Sequence, residues 1–145
     1  MNFTKSLVVS ISVVLLAATS AHAQGRTDDA PALALKGYDV VAYFKQSRAS
    51  KGSPEFRRDF DGARYYFASA EHQAAFSADP DRFLPQVRGH CSMGISLGKK
   101  IDADPTLFKI IDGKLYVFSS RKGADAADHD PEVLVRARQN WPVLK

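Results

Sequence analysis

The sequence predicts an α+β fold: a single small domain with two β-hairpin–helix units in a pseudo-repeat. Three observations carry that expectation. Residues recur with a period of 51 and no gap: Pro54 with Pro105, Asp61-Gly62 with Asp112-Gly113, Tyr65 with Tyr116, Phe67 with Phe118, Ser69 with Ser120, Asp79-Pro80 with Asp130-Pro131. In each copy Asp-Gly lies between two β-rich runs, and a two-residue hairpin turn needs positive φ at both central positions, which this pair tolerates. Each copy then supplies a serine N-cap and an Asp-Pro pair, an N-cap with proline at the first helical position.

The elements follow in chain order. Lys5, the apolar run Leu7 to Ala18 and the closing Ala21-His22-Ala23 have the three parts of a secretory signal peptide. Cleavage is expected after Ala23, and the apolar run is shorter than the ~20 residues a membrane span needs. Residues 24–36 read as a flexible leader, and the folded domain is expected over 37–145. Val40, Val41, Tyr43 and Phe44 read as a short buried strand opened by Tyr38 and Asp39. Strands at 56–60 and 63–67 should pair through Asp61-Gly62, and strands at 107–111 and 114–118 through Asp112-Gly113. Ser69 and Ser120 then cap helices, and short helices follow Asp79 and Asp130. Tyr65, Phe67, Tyr116 and Phe118 alternate along their strands and should face the core. Trp141 beside Pro142 is expected to pin the C-terminus to the domain.

Composition limits the function classes. The chain has 145 residues, 45% of them hydrophobic and 25% charged, which is ordinary for one globular domain. The formal net charge is +4, with basic residues scattered along the chain, so nucleic acid is not expected as a partner. One cysteine excludes a disulfide framework within the monomer. After signal cleavage no membrane span is expected. The destination would be the periplasm or the exterior, an oxidising compartment in which a lone thiol is buried, bound or reactive.

Several longer motifs stand together: Gly37-Tyr38-Asp39-Val40-Val41-Ala42-Tyr43-Phe44, Gly52-Ser53-Pro54-Glu55-Phe56, and Gly62 through His72. Gly89-His90-Cys91-Ser92-Met93-Gly94, Asp112 to Tyr116 and Asn140-Trp141-Pro142 complete the set. With these, the chain resembles the YHS-domain family in its secreted bacterial branch, over nearly the whole of residues 24–145. The resemblance implies an association with heavy-metal handling. Short members carry a Phe-Cys-Ser-x-x-Cys segment; here Ala68 stands at the first cysteine and His72 at the second. The secreted branch has a tyrosine before its cysteine, and here that position is His90.

The densest chemical feature is His90-Cys91-Ser92-Met93. Thiolate, thioether and imidazole together select Cu(I), whereas Zn²⁺ takes Cys and His but seldom Met. Candidate metal ligands are Cys91, His72, His90 and Met93, with copper as the expected metal and zinc the lesser candidate. Gly123 aligns with His72 in the second copy, so a site using His72 would be single. Two other readings stand beside this one. Cys91 could be a buried structural residue in an accessory module that docks on an envelope protein. It could also be a redox thiol, activated if Arg88, Lys99 or Lys100 approaches it.

Catalytic patterns are poorly matched. Glu71-His72 lacks the second histidine of a zinc-protease helix. Gly89-x-Cys91-x-Met93 lacks the closing glycine of a nucleophile elbow. Cys91, His129 and Asn140 occur in the chain order of a cysteine-protease triad without its local signature. No glycine-rich phosphate loop is present. The expected function is non-catalytic: sequestration or delivery of a soft transition metal in the cell envelope.

Overall fold

The computed structural model describes residues 30–145, so the signal sequence read over 1–23 and the start of the leader lie outside the described residues. The fold is α+β. In chain order it comprises β1 (Ala32–Leu33), α1 (Val40–Gln46), β2 (Ser53–Phe60), β3 (Ala63–Phe67), α2 (Ala70–Ala78) and α3 (Pro80–Phe83). It continues with α4 (Ser92–Ser96), β4 (Asp104–Ile111), β5 (Lys114–Phe118), α5 (Arg121–His129) and α6 (Glu132–Leu144). One sheet has the order β1-β3-β2, with β1 parallel to β3, and β4 and β5 form a second, two-stranded sheet.

Local chemistry explains the hairpins and the helix starts. Asp61 and Gly62 have φ of +47° and +73°, and Asp112 and Gly113 have +52° and +69°, the backbone that a two-residue hairpin demands. Residues 60 and 63 face each other in the first hairpin, 111 and 114 in the second. Ser69 Oγ accepts the His72 N–H at 3.2 Å, and Ser120 Oγ accepts the Gly123 N–H at 3.1 Å. Each bond satisfies one of the orphan donors of a first helical turn.

Three expectations are corrected. Residues 40–46 form a helix rather than a strand. Val40, Val41, Ala42 and Tyr43 are all buried, so no periodicity distinguishes the two forms, and the Asp39 side chain decides by accepting the N–H groups of Val41 and Ala42. Regular structure also begins earlier than Gly37: Ala32–Leu33 pairs with Ala63–Arg64, and Leu35 is buried. The helix after Asp130-Pro131 is long, running thirteen residues to Leu144. Its Val133, Leu134 and Ala137 are buried, and that packing extends it where α3 stops after one turn.

Two tight turns, Ala34–Gly37 and Gln86–Gly89, precede α1 and α4. In each, three consecutive residues are left-handed: Leu35, Lys36 and Gly37 at +46°, +53° and +82°, and Val87, Arg88 and Gly89 at +48°, +53° and +77°. A side chain in this region costs about 1–2 kcal/mol per residue. Burial of Leu35 and Val87 offsets the cost, and closing bonds from Tyr38 N–H to Leu35 O and from His90 N–H to Val87 O fix the geometry. The first turn seats on the second through Gly89, where an added Cβ would lie 2.6 Å from Leu35 Cδ2.

The core sits between the hairpins and the helices. Phe76 of α2 packs against Phe60, Tyr65 and Phe67. Tyr65, Phe67, Tyr116 and Phe118 all face inward. Tyr43 crosses from α1 to the second hairpin: its ring meets Phe108 edge-on at 4.7 Å, and its hydroxyl donates to Pro105 O at 2.8 Å.

Candidate functional site

Cys91 is the N-cap of α4. Its residue is 1% exposed, and Sγ accepts two backbone N–H groups, Gly94 at 3.4 Å and Ser119 at 3.2 Å. Its own N–H donates to Ile101 O, and it forms a parallel bridge with Val117. The sulfur therefore ties the start of α4 to the end of β5. The cations near it in sequence are turned elsewhere: Arg88 binds Asp61 at 2.6 Å, and Lys100 lies over the Trp141 ring.

Asp39 stands in the same local setting in the first half. It follows a left-handed turn, it is the N-cap of α1, and it is fully buried. Oδ1 accepts Val41 N–H at 2.9 Å and Ala42 N–H at 3.4 Å, and Oδ2 accepts Ala68 N–H at 2.8 Å. Ala68 follows β3 as Ser119 follows β5. Oδ2 is also 2.6 Å from His72 Nδ1, and His72 is buried. A carboxylate that receives one imidazole nitrogen fixes the ring's orientation, as in metal-ligating and proton-transferring histidines.

The four candidate ligands thus fall at different places. His72 sits on Asp39, and Cys91 on Ser119. The His90 ring is 5.4 Å from Trp141, and Met93 packs against Gly123, where an added Cβ would lie 3.4 Å from Met93 Cβ. Among the described residues no three His, Cys, Asp or Glu side chains gather as a metal site. Cys91 Sγ accepts its two backbone N–H bonds as both capping thiols and metal thiolates do. Asn140 donates to Ile95 O and Ser96 O at 3.0 and 3.2 Å, a helix-capping role.

A cleft of about 440 Å³ opens where the two left-handed turns meet. Lys36 and Arg88 stand at the third position of each turn, and Lys100, Lys145, Asp102 and His90 also line it. Its apolar wall includes Leu33, Pro105 and Trp141. Burial, and then the charge of Lys100, push the His90 pKa below the usual histidine value, against the pull of Asp102. Burial pushes Tyr65, on the cleft floor, up to about 12, so its phenol stays protonated.

The sequence places Asp39 at the opening of a strand and points neither to its N-cap role nor to this cleft. A signal for Asp39 was present: an aspartate immediately before an apolar run is an N-cap pattern. No family model matches this chain, and no curated protein or solved structure matches it either.

Proposed function

We propose that the chain is a secreted, non-catalytic binding module of the YHS type, an accessory protein of the cell envelope, whose cysteine is structural. The observation that carries this reading is the state of Cys91: a residue 1% exposed, whose sulfur accepts two backbone N–H bonds that hold α4 onto β5. A ligand or redox thiol must reach its partner, and this one faces inward.

The second reading, binding of a soft transition metal with copper first and zinc second, is favoured by one observation. The Asp39 carboxylate holds His72 through Nδ1, which leaves Nε2 as the nitrogen a metal would take. In that reading His72 is the anchoring ligand, and Cys91 supports the fold.

Two measurements on the reduced full chain separate these readings. Alkylation of Cys91 should be at least about 100-fold slower in the folded chain than in urea, as for an inert buried thiol. Titration with Cu(I) against a competing chelator should give the same result for the wild type and Cys91→Ala. Stoichiometric Cu(I) binding lost in Cys91→Ala, or fast alkylation of the folded chain, overturns the structural reading. Cu(I) binding that persists in Cys91→Ala and disappears in His72→Ala selects the second reading instead.

A further inference from the structure

We propose that the cleft between the two left-handed turns binds a small organic anion with a flat apolar body, such as an aryl carboxylate or sulfonate. The inference is independent of the state of Cys91, which does not line the cleft.

Charge is the first argument. Lys36, Arg88, Lys100 and Lys145 line the cleft, with Asp102 as the one acidic side chain; the α-carboxylate of Lys145 offsets that residue's own cation, so the excess rests on Lys36, Arg88 and Lys100. Arg88 is shared with Asp61, which belongs to the adjoining pocket beyond it. Among the described residues Lys36 and Lys100 have no carboxylate in ion-pair contact, so their charges are available to a ligand.

Shape is the second. The cleft's volume falls in the range of small-molecule sites, roughly 300–1,000 Å³. Trp141 offers an indole wall beside Leu33, which is exposed, and Pro105. Cations above an indole wall suit a ligand that pairs an anionic group with a flat ring.

The third argument is backbone strain. Lys36 and Arg88 are held left-handed, a conformation unfavourable for both, and each is thereby placed at the cleft. Strain of this kind concentrates where a side chain must be aimed. Glycine at these positions would relieve it and remove the cations.

The test uses the full chain and 8-anilinonaphthalene-1-sulfonate, an aryl sulfonate. Trp141 is the only tryptophan and serves as the energy donor. The expected result is saturable binding of one probe per chain, with quenching of Trp141. Affinity should fall about tenfold or more in Lys36→Glu/Lys100→Glu, in wild type at high salt, and for the sulfonate-free probe N-phenyl-1-naphthylamine. Lys122→Glu, on exposed α5, should bind as the wild type does. Absence of saturable quenching overturns the proposal. So does equal affinity for the charged and uncharged probes in the wild type, a comparison that stands even if the double variant misfolds.

Discussion

Cys91→Ala tests whether the sulfur is a structural acceptor. The substitution strips the acceptor from two backbone N–H groups, those of Gly94 and Ser119. Each buried hydrogen bond contributes about 0.5–1.5 kcal/mol net, and sulfur at 3.2–3.4 Å belongs at the lower half of that range. Loss of the packed sulfur adds about 1 kcal/mol. The expected destabilisation is about 2–3 kcal/mol, a fall in Tm of roughly 8–15 °C for a domain of this size. Cys91→Ser keeps an acceptor on a shorter arm and should lose about half as much. Urea unfolding followed by Trp141 fluorescence reads both. A loss under about 0.5 kcal/mol for the alanine variant would refute the capping argument. So would a serine variant less stable than alanine, because an oxygen acceptor facing two N–H donors should recover part of the loss.

Two further outcomes follow from the same geometry. Asp39→Ala removes the acceptor for three backbone N–H groups and for His72, and should cost about 3–5 kcal/mol; His72→Ala leaves the three N–H bonds in place and should cost about 1–2 kcal/mol. Urea unfolding of the two variants checks this, and the reverse order would contradict the reading of Asp39 as the organising residue. For His90, the folded ring binds its proton less tightly than the unfolded one, because burial and Lys100 oppose the charge. Its contribution is therefore present above about pH 6.5, the unfolded value, and is lost as the pH falls through the folded value. Tm measured across that window should fall less steeply for His90→Gln than for the wild type, and identical slopes would exclude His90 as a source.

The hairpins were legible because their signals are local. Asp-Gly forces a turn, serine caps a helix, and neither depends on distant packing. α1 was not legible, because Val40 to Tyr43 are buried on every side and carry no period. The correspondence between Asp39 and Cys91 was hidden by register. Gly37-Tyr38-Asp39 and Gly89-His90-Cys91 are 52 residues apart, whereas the hairpins are 51 apart, so an ungapped comparison misses it. The extra residue lies between the caps and the hairpins: Asp39 stands 22 positions before Asp61, and Cys91 stands 21 before Asp112. Of the candidate ligands, His72 and Cys91 hold to separate caps, one in each half, and His90 and Met93 lie against different neighbours, Trp141 and Gly123. The cleft could not be read, since its walls come from five separate stretches of chain.

The tie made by Tyr43 bears on cooperativity. The two hairpins are joined to different sheets, and each could in principle melt alone. Parting α1 from the second hairpin would leave the Tyr43 hydroxyl and Pro105 carbonyl without each other and would pull the ring off Phe108. A buried phenol stripped of its acceptor penalises every half-open state. α1 and β4 should therefore exchange their amide hydrogens with the same free energy of opening, so that partial unfolding of one half yields to a single transition of the whole.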